Sequence, residues 1–340
     1  MKVAIIGLGP MGRRHIQVVK ELGLNIVGLC DKSEDAIQKV RETNDFQTQI
    51  FFKDANEMFE KTKPEVVIIA TNSDSHYLLT KLSVENKVKH ILCEKPMANS
   101  VEEAMKMLQI CKENGVVISV NHQQRFMECY QKLKNLVKSE KLGGLETISI
   151  IGANCGLAMI GSHYINLSSY LFEDNFCKIS ALLEESKDKN PRGDQFKDPG
   201  GVVVGYTKNG KKMVLSFGVK EGYGITMVLS CKYGNIIYNP LTGKTVLHHR
   251  REEDRQAPTT RYGLTPNIEE FNMPQDDLIL STKRLLQSLL NSEMEFVNLA
   301  QGAAEVIKVI AAAYLSSERN GVLIDLEKET LPLNRKFPWP

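Results

Sequence analysis

The stretch "GLGPMG" places Gly7, Gly9 and Gly12 in a G-x-G-x-x-G spacing, with Pro10 and Met11 between them. After an apolar strand and before a helix, that spacing suits a pyrophosphate. Gly7 allows a tight turn, Gly9 lets the backbone approach the phosphates, and Gly12 permits close helix–strand packing. The helix N-terminus then faces the negative charge. Asp31 closes the second apolar run. A carboxylate there binds the adenosine ribose hydroxyls and repels a 2′-phosphate, which favours NAD over NADP. The adjacent Lys32 weakens that preference. A set of turn glycines before an ordinary aspartate competes with this reading, but strand, spacing, helix and carboxylate all agree on a dinucleotide.

Two further stretches, "ATNSDSH" and "CEKP", follow apolar runs, and ligands of open α/β sheets bind beyond such strand ends. Thr71 and Asn72 offer short polar groups to a cofactor. Ser73 or Asp74 can cap the next helix. His76 falls in that helix's first turn, where a capping or surface role rivals cofactor contact. Glu94 and Lys95 follow the apolar "HILC" directly. A lysine at a strand mouth beside a carboxylate can shuttle a proton or hold a substrate hydroxyl. The plain alternative is a surface ion pair, which contributes little.

"AMIGSHYINLSSYLF" sets His163 in a segment with helical apolar spacing. A lone histidine on such a face is by default a satisfied core residue. Seven cysteines, an odd number without a C-x-x-C pair, point to free thiols in a reducing cytoplasm. Cys155 has no identifiable base and is not read as a nucleophile. No third ligand is spaced to join His248 and His249, so no metal is expected, and "HHRREEDR" reads as a solvated hairpin end.

These residues must be positioned by alternating elements. "KVAIIG", "NIVGLC", "EVVIIA", "HILC" and "VVISV" are apolar without alternation, as parallel strands covered on both faces are. Ser33 can cap the helix beginning "SEDAIQKV". Ser100 with Glu103 forms a capping box, and Gly115 stops that helix. This predicts a doubly wound parallel sheet.

After Gly143 the pattern changes. Runs such as "LETISIIGAN", "CKISALLEE", "GVVVGYT", "KMVLSFG", "ITMVLSC", "GNIIYN" and "TVLHH" succeed one another, with Asn209-Gly210 as a hairpin signal. Two helices follow, "PQDDLILSTKRLLQSLL" and an alanine-rich one ending at Gly321. The expected plan is a Rossmann domain over 1–122, then an α+β domain over 123–340 with a large, mostly antiparallel open sheet. The polar loop "KDKNPRGDQFKDPGG" reads as surface, although it could border a substrate pocket.

The chain has 340 residues with 42% hydrophobic and 25% charged residues, the balance of a globular protein of about two domains. A net charge of +2 gives no basic field for nucleic acid or anionic membrane. No apolar run reaches the roughly 20 residues of a membrane span, and the start reads as a buried strand rather than a signal peptide.

"GLGPMG", "ATNSDSH", "EKPMANS" and "NHQQRF", in this order, resemble the Gfo/Idh/MocA family of glucose–fructose oxidoreductase and inositol dehydrogenase. The later "PGG", the alanine-rich helix and "SSERNGVLIDL" are similar to that family's end, so the resemblance spans nearly the whole chain. It implies that Lys95 contacts the nicotinamide ribose and substrate and takes part in proton transfer. Glu94 then contacts the cofactor ribose or orients Lys95, and Pro96 carries a cis peptide. "NHQQRF" maps to the crossing between domains near the nicotinamide. There Gln123 stands where asparagine is frequent, and Arg125 reaches either substrate or a hinge partner. The family pattern D-x-x-x-H on a substrate-site helix maps to His163 as a catalytic base. In this chain, however, Met159 replaces the aspartate one turn earlier and Asn166 stands three residues later.

The resemblance implies an NAD(P)-dependent oxidoreductase that moves hydride between nicotinamide and a hydroxyl-bearing carbon of a sugar, polyol or nucleotide sugar. Lys95 and His163 manage the proton, and Met159, Asn166 and Arg125 border the substrate. A homodimer or homotetramer is implied too. Two alternatives stand beside it. One is glycosidic cleavage through transient oxidation by bound NAD. The other is a cofactor-binding regulatory protein without turnover, which Met159 and Asn166 support and the presence of Lys95 and His163 opposes.

Overall fold

The computed structural model describes residues 1–43, 51–190, 192–222, 224–275, 277–291 and 297–340. Six parallel strands form the first sheet: β1 (Lys2–Ile6), β2 (Asn25–Cys30), β3 (Phe51–Phe52), β4 (Val66–Ile69), β5 (His90–Cys93) and β6 (Val117–Val120). Their order is β3-β2-β1-β4-β5-β6. The winding reverses between β1 and β4, so the crevice beyond their carboxyl ends holds Gly7 and Thr71. β1, β4 and β5 are buried on both faces apart from Lys2, which explains their unbroken apolar runs. The two-residue β3 has no sequence pattern of its own. Its pairing with Leu29 and Cys30 makes it a strand.

The covering helices include α1 (Pro10–Glu21), α2 (Glu34–Thr43), α3 (Ala55–Thr62), α4 (His76–Glu85) and α5 (Val101–Glu113). Ser33 Oγ accepts the Ala36 amide at 3.3 Å, and Ser100 Oγ accepts the Glu103 amide at 3.2 Å. The Glu103 carboxylate pairs with Lys336 from the far end of the chain. The caps expected from Ser73 or Asp74 do not form. Residues Ser73–Ser75 make a 3-10 turn, and Ser73 Oγ donates to the Trp339 carbonyl.

The second part of the chain builds a nine-stranded sheet. Its strands are β7 (Leu145–Gly152), β8 (Phe176–Glu184), β9 (Gly200–Thr207), β10 (Lys212–Phe217), β11 (Ile225–Cys231), β12 (Gly234–Tyr238), β13 (Lys244–His249), β14 (Asn267–Asn272) and β15 (Ile324–Asp325). They lie in the order β14-β13-β12-β11-β7-β10-β9-β8-β15, antiparallel except where β10 runs parallel to β7. β14 and β15 are the edges. Neither stood out in the sequence, because β14 is largely exposed and β15 is two residues long. The stretch "HHRREEDR" is only in part the solvated hairpin end expected: Arg251, Glu252 and Glu253 are exposed, but His248 and His249 close β13, with His249 buried, its Nε2 2.9 Å from Glu269, and Nδ1 of His248 3.0 Å from Asn235.

The remaining helices are α6 (Glu128–Val137), α7 (Ser162–Phe172), α8 (Leu278–Leu290) and α9 (Val297–Glu318). α8 returns to the first sheet, where Leu285, Leu286 and Leu289 share a core with Val3, Ile5 and Ile16. α9 corrects the expectation about apolar length. Leu299–Glu318 is long and apolar enough to cross a membrane, with mean hydropathy 1.2. Yet 67% of that window is buried inside the fold, and the helix packs on β8, α5 and α7. Its apolar surface is therefore core.

Candidate active site

The glycine turn takes the geometry its spacing predicts. Gly7 has φ +93°, and a Cβ there would lie 2.5 Å from the Ala70 carbonyl oxygen. A Cβ on Gly12 would lie 1.9 Å from the Gly7 carbonyl oxygen. At Gly9 a Cβ would meet nothing within 4 Å. Packing thus demands glycine at positions 7 and 12, whereas position 9 faces open space. Gly9 is also the N-cap of α1, which has Pro10 in its first turn, no side-chain cap and no acidic residue there. Free amides and an open glycine fit a dinucleotide pyrophosphate. Asp31 ties this turn to β2. Its Oδ2 accepts the Leu8 amide at 2.7 Å and its Oδ1 the Ser33 amide at 2.8 Å. Thr71 and Asn72 lie beyond β4, where Thr71 Oγ1 accepts from Ser75 Oγ at 2.7 Å. Met11 borders the turn, its Sδ accepting from Arg14 at 3.4 Å.

His76 is wholly buried. Its Nδ1 lies 3.0 Å from the Pro96 carbonyl and 3.2 Å from that of Met97, with Nε2 3.1 Å from the Thr71 carbonyl. It staples the ends of β4 and β5 together, and burial lowers its pKa.

Glu94 leaves β5 into the interior. Its Oε1 meets Nε2 of His15 at 2.8 Å and accepts from Asn121 Nδ2 at 2.7 Å. Burial alone would raise its pKa, but the His15 and Asn121 contacts and the Lys95 charge outweigh this and bring it to about 2. The Lys95–Pro96 peptide is cis. The Lys95 ammonium reaches away from Glu94 and donates to the Met159 carbonyl at 2.7 Å. Burial brings its pKa down to about 8, with Glu94 and Asp198 resisting and Arg192 assisting.

Met159 sits in a π-helical turn, Leu157–Gly161, that leads into α7. His163 is buried in the first turn of α7, and its ring meets that of His122 edge-on at 5.5 Å. Burial, Lys95 and the neighbouring histidine hold the His163 pKa well below its usual value. Burial, Arg125 and Lys95 take His122 to about 3. Both imidazoles are thus neutral, and neither Nδ1 has a hydrogen-bond partner among the described residues. Gln123 is also buried beside this pair, at the crossing between the two sheets.

Arg125 and Asn166 turn to one another. Arg125 Nε donates to Asn166 Oδ1 at 2.6 Å and its Nη2 to the Asn166 carbonyl at 3.2 Å, while the guanidinium lies 5.4 Å from the Tyr170 ring centre. Arg125 also lines a cavity with Tyr170 and Gly302.

A cleft of about 1270 Å³ opens at Met159 and Asp198. Asn154, Asn190, Phe196, Tyr314 and Arg335 are among its walls. The loop read as plain surface therefore borders the cleft. Two residues that carry this site were not singled out from the sequence. His122 stood beside the noted Gln123 but carried no separate signal. Asp198 lay in the polar loop, where the pairing of its carboxylate with the Ala158 and Met159 amides, at 2.7 Å each, leaves no local pattern.

Residues 1–122 match the family described as the oxidoreductase family with an NAD-binding Rossmann fold. The myo-inositol 2-dehydrogenase of Thermotoga maritima is 25% identical over 175 residues, 51% of each chain. The glucose-6-phosphate 3-dehydrogenase of Bacillus subtilis is 25% identical over 236 residues, 61% of this chain and 65% of that enzyme. The alignments thus span between half and two thirds of these relatives. An oxidoreductase from Agrobacterium radiobacter, solved with NAD+, L-tartaric acid and magnesium, superposes with a TM-score of 0.78 at 17% identity, covering 96% of this chain and 98% of that one. The shared architecture therefore runs through the second sheet, beyond the Rossmann domain that the oxidoreductase family model matches.

Proposed function

We propose that this protein is an NAD-dependent dehydrogenase acting on a hydroxyl-bearing carbon of a sugar, polyol or nucleotide sugar. The observation that carries this reading is the gathering of Lys95 and His163, from separate domains, at the mouth of β5 beside the switch-point crevice. Relatives that act on inositol and glucose 6-phosphate support the substrate class.

Gly7, Gly9, Pro10, Met11 and Gly12 would hold the pyrophosphate, Asp31 the adenosine ribose, and Thr71, Asn72, Glu94 and Gln123 the nicotinamide side. Asp31 favours NAD, because a 2′-phosphate there would meet a carboxylate. The bound nicotinamide supplies the hydride chemistry. The protein's task is to fix the carbinol carbon and handle the hydroxyl proton. Lys95, with its pKa brought down to about 8, can take that proton in oxidation and return it in reduction. His163, held neutral by burial, can accept a hydroxyl hydrogen bond or the proton itself. The cleft at Met159 would take the rest of the substrate.

A homo-oligomer is part of this reading. Ile151, Leu182, Val202, Ile237 and Ile268 lie exposed on strands of the second sheet and form a surface a second copy could cover. We place the protein in the cytoplasm on its seven free thiols. Incubation with NAD+ or NADH and a panel of polyols, sugar phosphates and nucleotide sugars, followed at the nicotinamide absorbance, tests the function. Turnover that Lys95→Ala abolishes is the expected result. No turnover with any compound, despite tight cofactor binding, would favour the regulatory alternative, to which Met159 and Asn166 lend support.

A further inference from the structure

The π-helical turn before α7 is held from both sides at one residue. Asp198 Oδ2 accepts the Met159 amide at 2.7 Å, and the Met159 carbonyl accepts from the Lys95 ammonium at 2.7 Å. Asp198 Oδ1 also takes the Ala158 amide at 2.7 Å. Its carboxylate is seated against Gly156, where φ is +74° and a Cβ would lie 2.2 Å from Oδ2. The stretch from Leu157 to Phe172 contains no acidic residue. We infer that Asp198 is a positioning residue for Lys95: it anchors the turn that holds the ammonium and supplies negative charge facing it from a separate loop.

An ionised carboxylate that accepts two main-chain amides fixes their turn, and so fixes the direction of the Met159 carbonyl. The same anion, in a poorly solvated place, favours the charged form of Lys95. The charges act on each other reciprocally, since Asp198 draws the Lys95 pKa up while Lys95 draws that of Asp198 down. Burial nevertheless pushes Asp198 up to about 6. Glu94 and Arg192 also act on Lys95. Around Asp198, the amides of Leu157, Ala158 and Met159 and the Lys95 charge oppose the burial, and the Tyr314 hydroxyl feels its field. A neutral side chain at 198 removes one of the two anions that sustain the Lys95 charge.

The inference rests on the dehydrogenase reading only for its effect on turnover, so its test needs no substrate. Competitive labelling of amines with acetic anhydride across pH 6 to 10, read by mass spectrometry on the peptide containing Lys95, gives the titration midpoint of that lysine. Asp198→Asn and Asp198→Ser should lower the midpoint, by less than removal of the Glu94 charge would. Met159→Leu keeps the main-chain carbonyl and should leave it in place. An unchanged midpoint in a folded Asp198 variant would overturn the inference, as would an equal shift in Met159→Leu, which would assign the effect to the thioether. If neither Asp198 variant folds, the residue serves folding alone and the inference is also lost. NADH binding, followed by fluorescence in the same proteins, tests the dehydrogenase reading separately. Failure to bind sinks that reading and leaves the Lys95 midpoint to decide this one.

Discussion

Nε2 of His15 lies 2.8 Å from Oε1 of Glu94, joining the dinucleotide helix to the mouth of β5. Asn121, at the end of β6, donates to the same oxygen at 2.7 Å. Helix α1 and the ends of β5 and β6 thus meet at one buried carboxylate. Its folded pKa, about 2, lies below the usual 4.5. A depressed carboxylate stabilises the fold above its unfolded pKa, and that stability is lost as pH falls through the folded value. Stability should therefore drop between about pH 4.5 and 2, and Glu94→Gln should flatten this part of the profile. At pH 7 the same substitution should cost about 1–3 kcal/mol, because it disturbs buried donors. Urea midpoints measured against pH for both proteins check this, and a steep acid limb retained in Glu94→Gln would contradict it.

Lys95 sets a second pH dependence, of opposite kind. A proton acceptor with a pKa of about 8 must be neutral to act as base, so kcat/KM for oxidation should climb with pH and level off above about 8. In reduction the protonated form is required and the limb should invert. Lys95→Met should remove the limb and lower kcat/KM by about 10²-fold or more. His163→Asn should also lower the rate but leave the limb in place, because His163 is already neutral throughout this range. Initial rates from pH 6 to 10 separate the two residues. A limb that follows His163 instead of Lys95 would reverse their assigned roles.

Much of this was legible in the sequence for a physical reason. Gly7, Gly9 and Gly12, Asp31, and the Glu94–Lys95 pair sit directly at strand ends, so a parallel-sheet pattern locates them at once. Long-range pairings left no such trace. Asp198 works only because its loop folds back on the Met159 turn. Likewise β14 becomes a strand through its pairing with β13, not through its own composition. His76 was open between a capping or surface role and cofactor contact, and of the three backbone carbonyls it contacts, two lie 20 and 21 residues away. Arg125 pairs with Asn166, 41 residues later, a contact no local pattern announces.

The last residues of the chain supply another case of such long-range dependence. The rings of Phe337 and Trp339 stack at 4.5 Å, almost parallel, and Tyr314 of α9 packs against both. Trp339 Nε1 donates to the Ala98 carbonyl at 3.2 Å, and the Phe337 amide donates to Asn99 at 2.8 Å. This strap lies on the segment that follows the Lys95–Pro96 peptide. Trp339→Ala should cost about 3–5 kcal/mol, the usual loss for a buried aromatic. Because the strap supports that segment, kcat/KM should fall as well, even well below the unfolding temperature. Thermal unfolding combined with rates at 25 °C distinguishes the two effects, and an unaltered rate in the folded variant would confine the strap to stability.

The glycine turn allows a sharper separation of folding from binding. Gly12 is confined by the Gly7 carbonyl, so Gly12→Ala must displace backbone and should destabilise the protein even without cofactor. Gly9 has open space around its missing Cβ and φ of −62°, a value any residue adopts. Gly9→Val should therefore fold with an almost unchanged Tm. Its side chain would project where the pyrophosphate must approach the α1 amides, and NAD affinity should fall at least tenfold, about 1.4 kcal/mol. Calorimetric titration with NAD+ and thermal unfolding of the free protein give both quantities for both variants. If Gly9→Val bound NAD+ as tightly as the parent, the pyrophosphate would not lie across this turn.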